Sequence, residues 1–476
     1  MNIFFFRKYR LLKKEEKAAL WYMVSNICQK VAPWLVMIIL THKLSLEEYG
    51  LYTVYLSWQQ IIEIFVTLKS YSSGLITKLI KNDKDKKIYI GNIYLFTIFS
   101  FLIWGFIFSV LNNSVISYTE LPFELLLLIL ISCISTSNYE VWNSQQRVND
   151  NYINILRGTI LYSVIGPIIG ALTAYVCEEN IVLVIIGVRA IIQFIISSYL
   201  ISRQIIYIKL GKLACLYEIF KYNLPLLPYY LSMILLNNID KILIQKICSY
   251  EEAAIYSVAR SLSMILFVVS GSLNLSLQTW LYRNLRDKTY NNIELLSKCN
   301  YIVGISSVLI IMLSPEILWI MGGNKYVGAL DVINPLIISI YIMFVSQQYI
   351  NLLLFYFQTK IIMWISCLAC ISNILMNYLL LSKFTYIISG YLALLSCFIT
   401  AIYTYFYSKK ISYENDIVFS RIFKLKQVIY FFVILIIISV MMSLYLYNNY
   451  LRVFIVIIIL LYMYLYNNMY LLKKES

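Results

Sequence analysis

Ionisable and amide side chains lie within long runs of aliphatic and aromatic residues. Lys30 has Asn26 and Gln29 close by, and Glu63 occupies a second such run. On insertion scales a charge at the centre of a spanning helix costs about 2.5–3.5 kcal/mol, so these groups usually face a cavity or a partner. The sequence therefore predicts a polar interior that could bind a ligand.

Two later runs repeat this pattern, one with Asp240 and Lys241 and the next with Arg260. Residues three or four positions apart share one helix face, so the polar residues of each run form a stripe. Equivalent stripes could line one water-filled cavity, although hydrogen bonds between packed helices would also account for the uncharged positions. The polar lining predicted from these stripes comprises Asn26, Gln29, Gln59, Asn237, Ser263 and Asn274.

The charges predict the chemistry of this cavity. Cations outnumber carboxylates, and Arg and Lys bind phosphate and pyrophosphate well. Glu63 and Asp240 are predicted either to hold a coupling H⁺ or Na⁺ or to balance charge, and no resident cofactor is predicted. Lys69 and Arg189 lie nearer helix ends, where snorkelling to the interface is the simpler alternative. The predicted pyrophosphate-binding residues are Lys30, Lys241, Arg260, Arg189 and Lys69.

Several kinds of chemistry are not available to this sequence. His42 is its single histidine, and no glycine-rich phosphate-binding loop is present, which argues against a His-based triad, a zinc site or a nucleotide site. The nine cysteines lie mostly within apolar runs without pairing motifs, as expected for buried thiols. We therefore predict that the protein is not an enzyme.

The amino-acid composition predicts a membrane protein. Of the 476 residues 61% are hydrophobic and 13% charged, with a mean hydropathy of +0.75, against about 45–50% and about 25% in soluble domains. A spanning helix needs about 20 apolar residues. Fourteen such segments are predicted, near 18–40, 49–74, 88–111, 123–146, 153–176, 181–203, 219–247, 252–281, 293–320, 331–356, 361–382, 385–408, 427–447 and 450–471.

In a membrane protein the net charge of +15 does not indicate nucleic-acid binding. The basic residues are instead compared between the loops on the two sides of the membrane. Most Lys and Arg fall on one alternating set of loops and on both termini, which places both termini in the cytoplasm. Residues 1–17 are predicted to lie on the inner membrane surface, where anionic lipids attract basic residues. The opposite loops carry only Lys43, Lys246, Lys325, Lys383 and Arg452.

The chain contains an internal repeat. The segment from Ser45 to Val54, SLEEYGLYTV, corresponds to SYEEAAIYSV from Ser249 to Val258, at an offset of 204 residues. Both copies join an odd to an even segment on the same side, which favours parallel duplication. We predict an all-α protein with two six-helix lobes around a central cavity and two additional helices. The predicted boundaries are 18–212 for the N-lobe, 213–412 for the C-lobe and 413–476 for the added helices and tail.

The chain resembles the polysaccharide biosynthesis flippases of the multidrug/oligosaccharidyl-lipid/polysaccharide exporter superfamily, which translocate O-antigen and capsule repeat units. The resemblance covers about the whole chain. It rests on five motifs, LSLEEYGLY from Leu44, Asn223-Leu224-Pro225, Asn238-Ile239-Asp240-Lys241, the stretch from Glu251 to Ala259, and Gly322-Gly323-Asn324-Lys325-Tyr326.

This resemblance implies a cell inner-membrane protein that moves undecaprenyl-pyrophosphate-linked oligosaccharide from the inner to the outer leaflet by alternating access. Its partners would be that lipid-linked oligosaccharide, membrane lipids and polysaccharide polymerase or assembly proteins, without nucleic acid. Three alternatives remain open at the level of sequence. They are a cation-coupled multidrug antiporter, a membrane polymerase or transferase, and an uncoupled lipid scramblase.

Overall fold

A computed structural model describes residues 14–71, 75, 79, 86–149, 151–205, 217, 220–221, 223–224, 227–287, 294–417 and 419–445. All regular secondary structure in these ranges is helical. The chain forms two compact units, Met1–Ala254 and Ile255–Ser476. The predicted lobe boundaries at 212 and 412 stay a prediction.

The first unit is built from long helices joined by short turns. Its helices are α1 (Lys14–Lys43), α2 (Leu46–Thr67), α3 (Lys86–Val110), the short α4 (Asn112–Thr119), α5 (Phe123–Val148), α6 (Tyr152–Tyr175), α7 (Ile181–Ile205) and α8 (Leu227–Ile247). Helix α6 contains a π-helical turn, Ile160–Ile165.

The long helix α9 (Tyr250–Asp287) continues from the first unit into the second. The second unit continues with α10 (Glu294–Met312), α11 (Ser314–Gly322), a 3₁₀ segment (Gly323–Ala329), α12 (Leu330–Phe355), α13 (Thr359–Phe384), α14 (Ile387–Glu414), α15 (Phe419–Ile422) and α16 (Leu425–Tyr445). Pro315 lies in the first turn of α11, where a proline costs no helical hydrogen bond.

Helices occupy each predicted segment from the first to the thirteenth, and the fourteenth, 450–471, lies outside the described residues. Residues 1–13 of the predicted surface segment 1–17 also lie outside them, and residues 14–17 belong to α1. Several boundaries differ from the prediction by a few residues, and two of the differences come from breaks in the helices. The second segment ends as a helix at Thr67 and not at 74, and the ninth ends at Met312, with α11 following as a separate helix. Ten of the described helical segments are long and apolar enough to cross a membrane, so the protein is an all-α multi-pass membrane protein.

Both copies of the repeat start a helix in the same way. The Ser45 hydroxyl accepts from the Glu48 amide at 3.2 Å, and the Glu48 carboxylate accepts from the Ser45 amide at 2.8 Å. In the second copy the Glu252 amide donates to the Ser249 hydroxyl at 3.1 Å. Ser followed three residues later by Glu is a capping box, which satisfies amides at a helix start. Part of the sequence repeat is therefore a repeated helix cap.

Candidate functional site

Helix α2 ends within the interior of the first unit. Leu68 and Lys69 both have left-handed backbones, with φ of 45° and 47°, a conformation that costs non-glycine residues about 1–2 kcal/mol. Because the helix stops here, its last carbonyl oxygens and those of the residues that follow it need new donors.

Side chains from other segments supply these donors. Ser100 on α3 donates to the Val66 carbonyl at 2.5 Å. Asn223 donates to the Lys69 carbonyl at 3.3 Å. On α5, Ser144 donates to the Tyr71 carbonyl at 3.2 Å. The break in α2 is thus held by hydrogen bonds from surrounding segments, as expected for backbone that must be satisfied inside a membrane protein.

The break brings together three side chains, Glu63, Lys69 and Tyr71, which we call the helix-break cluster. The Lys69 ammonium lies 2.6 Å from the Glu63 carboxylate and donates to the Tyr71 hydroxyl at 2.7 Å. The Tyr71 hydroxyl donates to the same carboxylate oxygen of Glu63. Glu63 is 8% exposed. A buried ion pair of this kind is strongly destabilised when one partner is removed, because the other charge is left uncompensated.

Arg189 lies elsewhere in the first unit, on α7. Its guanidinium donates to the Tyr52 hydroxyl of α2 at 3.3 Å. Gly170 of α6 allows this approach, because a Cβ at that position would lie 2.9 Å from the Cβ of Arg189. The predicted cation is therefore held between α2, α6 and α7, and it is half-buried.

A chain of hydroxyl groups runs through the same unit beside the π-helical turn. Ser25 donates to Thr159 at 2.8 Å, and the Tyr139 hydroxyl lies 2.9 Å from Thr159. The Tyr139 ring stacks on Tyr162 with centroids 4.2 Å apart, and Gln193 donates to the Tyr162 carbonyl at 3.2 Å. These contacts link α1, α5, α6 and α7 around a polar interior.

The remaining predicted residues of the first unit occupy mixed environments. Lys30 and Gln29 are exposed on α1, and Gln59 is buried on α2. The side chain of Asn26 lies outside the described residues.

On α8, Asp240 is 2% exposed and Lys241 is half-buried. The half-buried Asn237 donates to the Met233 carbonyl of its own helix at 2.9 Å. Its neighbour Asn238 donates to Gln60 of α2 at 3.1 Å, so α8 packs on α2 through polar contacts.

The second unit contains the predicted residues of α9. Arg260 is half-buried, and the buried Ser263 hydroxyl donates to the Arg260 carbonyl at 2.7 Å. Asn274 accepts from Asn351 of α12 at 2.9 Å. Asn274 therefore bonds to a neighbouring helix, which was the structural alternative for the uncharged positions.

Within the described ranges, no group of three His, Cys, Asp or Glu side chains is arranged to hold a metal ion. In the turn between α8 and α9, burial and the adjacent Glu252 raise the pKa of the Cys248 thiol to about 11. This thiol is therefore protonated at neutral pH and is a poor nucleophile.

Solved transporter structures share this fold. The lipid II flippase MurJ in an inward closed conformation matches 95% of this chain and 98% of its own, with a TM-score of 0.69 and 13% identity. An inward-facing multidrug resistance MATE family transporter of the MOP superfamily matches 80% of this chain and 94% of its own, with a TM-score of 0.64 and 12% identity. The fold is that of the MOP superfamily transporters.

The sequence pattern described as "Polysaccharide biosynthesis protein" matches residues 16–282, more than half of the chain. The chain belongs to this polysaccharide biosynthesis protein family, which confirms the family resemblance. No curated protein matches the chain.

Sequence reasoning missed several residues of these arrangements. Tyr71 joins Glu63 and Lys69 because α2 breaks, and the only available signal was the run Ser70-Tyr71-Ser72-Ser73-Gly74, whose residues are poor helix formers. Thr159 and Gln193 carried no periodic signal that distinguished them from other polar residues in apolar helices.

Proposed function

We propose that the protein is a flippase that moves polyprenyl-pyrophosphate-linked oligosaccharide from the inner to the outer leaflet of the cytoplasmic membrane. The family match over residues 16–282 carries this proposal, because it assigns the chain to polysaccharide biosynthesis. The transporter fold and the cations held within the helices support it. The cargo would be a repeat unit for O-antigen or capsule.

The proposed mechanism is alternating access, with both termini in the cytoplasm. Lys30, Lys241, Arg260 and Arg189 are proposed to hold the pyrophosphate, whose charge suits ammonium and guanidinium groups. The sugar would pass through the polar interior while the lipid tail stays in the bilayer. Polymerase or assembly proteins would receive the product.

Lys69 is proposed to bind the pyrophosphate only when Glu63 releases it. The 2.6 Å ion pair already compensates the ammonium, so an incoming anion competes with the carboxylate. Protonation of Glu63, or Na⁺ binding to it, would free Lys69 and couple cargo binding to a cation. Asp240 is the second carboxylate proposed for coupling.

A cation-coupled multidrug antiporter is the alternative function. The fold match to a multidrug resistance MATE transporter is compatible with it, but a cationic drug would favour an excess of carboxylates in the cavity. An uncoupled scramblase would show transport in both directions and no dependence on an ion gradient.

The test is transport of a fluorescent polyprenyl-pyrophosphate oligosaccharide by the full chain in liposomes. We expect movement across the bilayer in the wild type and loss of movement in Arg260→Ala. Arg283→Ala is the matched control, because Arg283 lies on the same helix and is exposed. Transport of a cationic dye but not of the lipid would favour the antiporter, and normal transport by Arg260→Ala would remove Arg260 from the site.

A further inference from the structure

Lys246 lies at the end of the first unit that is predicted to face outward, where Lys and Arg are rare. Its ammonium lies 3.8 Å from the ring centroid of Tyr118 and 5.9 Å from that of Trp58. The two rings are in edge contact, with centroids 5.7 Å apart. We call these three residues the exit cluster. They come from α8, α4 and α2.

The exit cluster contains two donors, the Lys246 ammonium and the Trp58 indole N–H, that have no hydrogen-bond acceptor among the described residues. Among the described residues, no carboxylate lies within ion-pair distance of Lys246. Trp58 is 8% exposed, and its indole N–H is buried without a hydrogen-bond partner in the part of the chain that the structure describes. A buried donor without a partner is costly, and a buried Trp N–H usually finds an acceptor. An ammonium beside such an indole is suited to an anion.

The Tyr118 ring covers this pair of donors. Tyr118 is 66% exposed at the end of the short helix α4, so the ring can leave without disrupting a packed core. A cation–π contact is a weak interaction at an exposed site. A phosphate oxygen, which accepts a charge-assisted hydrogen bond from Lys, is the stronger partner.

Contacts next to Tyr118 hold α4 in place. The Tyr250 hydroxyl donates to the Glu120 carbonyl at 2.9 Å, and the Gln245 amide donates to the Glu120 carboxylate. The start of α2 also approaches the start of α9, because a Cβ at Gly50 would overlap the carbonyl oxygen of Tyr250. We call Glu120, Gln245, Tyr250 and Gly50 the clasp.

We propose that Lys246 and Trp58 form an exit site for the pyrophosphate of the cargo, covered by Tyr118 while the clasp is closed. This inference rests on the proposed flippase function and orientation. When the clasp opens, the two donors become accessible to the phosphate groups as the cargo moves toward the outer leaflet. Lys246 would then be the last cation that the pyrophosphate contacts in α8.

The first experiment measures the accessibility of Lys246. The full chain in phosphatidylcholine liposomes is treated with a membrane-impermeant amine-reactive ester, and labelling of each lysine is read by peptide mass spectrometry. Lys43 is the internal control, since it lies at the same end over the Tyr175 ring and is exposed. In Gly50→Ala we expect labelling of Lys246 to rise about tenfold, equivalent to about 1.4 kcal/mol, with Lys43 unchanged. Tyr250→Phe opens the clasp without added bulk if Gly50→Ala does not fold.

The second experiment adds sodium pyrophosphate to the opened variant. Protection of Lys246 but not of Lys43 is expected, and sodium sulfate is the control for ionic strength. Absence of protection by pyrophosphate overturns the site. Protection by phosphatidylglycerol in the liposomes, without protection by pyrophosphate, also overturns it, because the donors would then serve the phosphates of bulk lipid.

Transport separates this inference from the proposed function. Lys246→Gln is expected to slow movement of the pyrophosphate lipid about tenfold, and Lys43→Gln is expected to leave it unchanged. If the wild type does not move the lipid but pyrophosphate protects Lys246, the function fails and the site stands. If the wild type moves the lipid and Lys246→Gln matches it, the exit site is wrong.

Discussion

The helix-break cluster joins one cation, one carboxylate and one hydroxyl within a few ångströms of each other. The pair formed by Glu63 and Lys69 carries no net charge, so it can be tolerated among apolar helices. The free energy of unfolding would fall if one charge were removed and the other remained. This gives the cluster two roles that can be separated by experiment, one in stability and one in coupling.

The change Glu63→Gln tests the stability role. It leaves Lys69 without its carboxylate, and we expect the free energy of unfolding to fall by about 3–5 kcal/mol. The measurement is chemical unfolding in detergent micelles. The double variant Glu63→Gln/Lys69→Met serves as the control, because it removes both charges and should recover most of the loss.

Transport measured at two pH values separates the role of the helix-break cluster in coupling from its role in stability. The double variant is expected to fold yet to lose the dependence of transport on a proton or Na⁺ gradient. Gradient-dependent transport by the double variant would exclude Glu63 as the coupling group and leave Asp240 as the candidate.

The packing of α6 on α5 shows how closely two helices approach at small residues. A Cβ at Gly158 of α6 would overlap the ring of Trp142 on α5, whereas a Cβ at Gly187 of α7 would lie 3.8 Å from Leu128 in ordinary contact. Close approach at glycine is a common way for membrane helices to pack.

Alanine substitutions at these two glycines should therefore have opposite effects. We expect Gly158→Ala to lower the free energy of unfolding by about 1–3 kcal/mol through overpacking. Gly187→Ala is expected to be neutral or to stabilise by up to about 1 kcal/mol, the difference in helix propensity. Both are measured by unfolding in detergent, and equal effects would show that α5 and α6 can shift apart without cost.

The helices were predictable because hydrophobic runs of spanning length leave little alternative in a bilayer. The end of α2 at Thr67 was not, because left-handed backbone at Leu68 and Lys69 is favoured by donors such as Ser100 and Ser144, which are distant in sequence. For the candidate site, the sequence predicted only which residue types would take part. Glu63 and Lys69 were both expected to be functional, but their pairing depends on the same helix break.

At the scale of the whole molecule, the distribution of basic residues predicts the orientation in the membrane. Lys and Arg are enriched on one set of loops and at both termini, and such loops stay in the cytoplasm. Fusions of a fluorescent reporter that matures only in the cytoplasm should therefore be bright at both ends of the chain. A fusion in the loop at Lys325 should be dark, and a bright one would contradict the proposed direction of transport.

The π-helical turn from Ile160 to Ile165 sets the rotational phase of everything that follows in α6. A π turn hydrogen-bonds five residues back instead of four, so it accommodates one residue more than an α-helical path. Deleting one residue there would let the turn close up as regular α-helix and would leave the later positions in phase, so that Gly170 would still face Arg189. The same deletion between Gly166 and Gly170, where α6 is α-helical, would instead rotate Gly170 by about 100°. The π turn is thus a place where α6 can lose a residue and keep the packing of Gly170 on the Arg189 side chain.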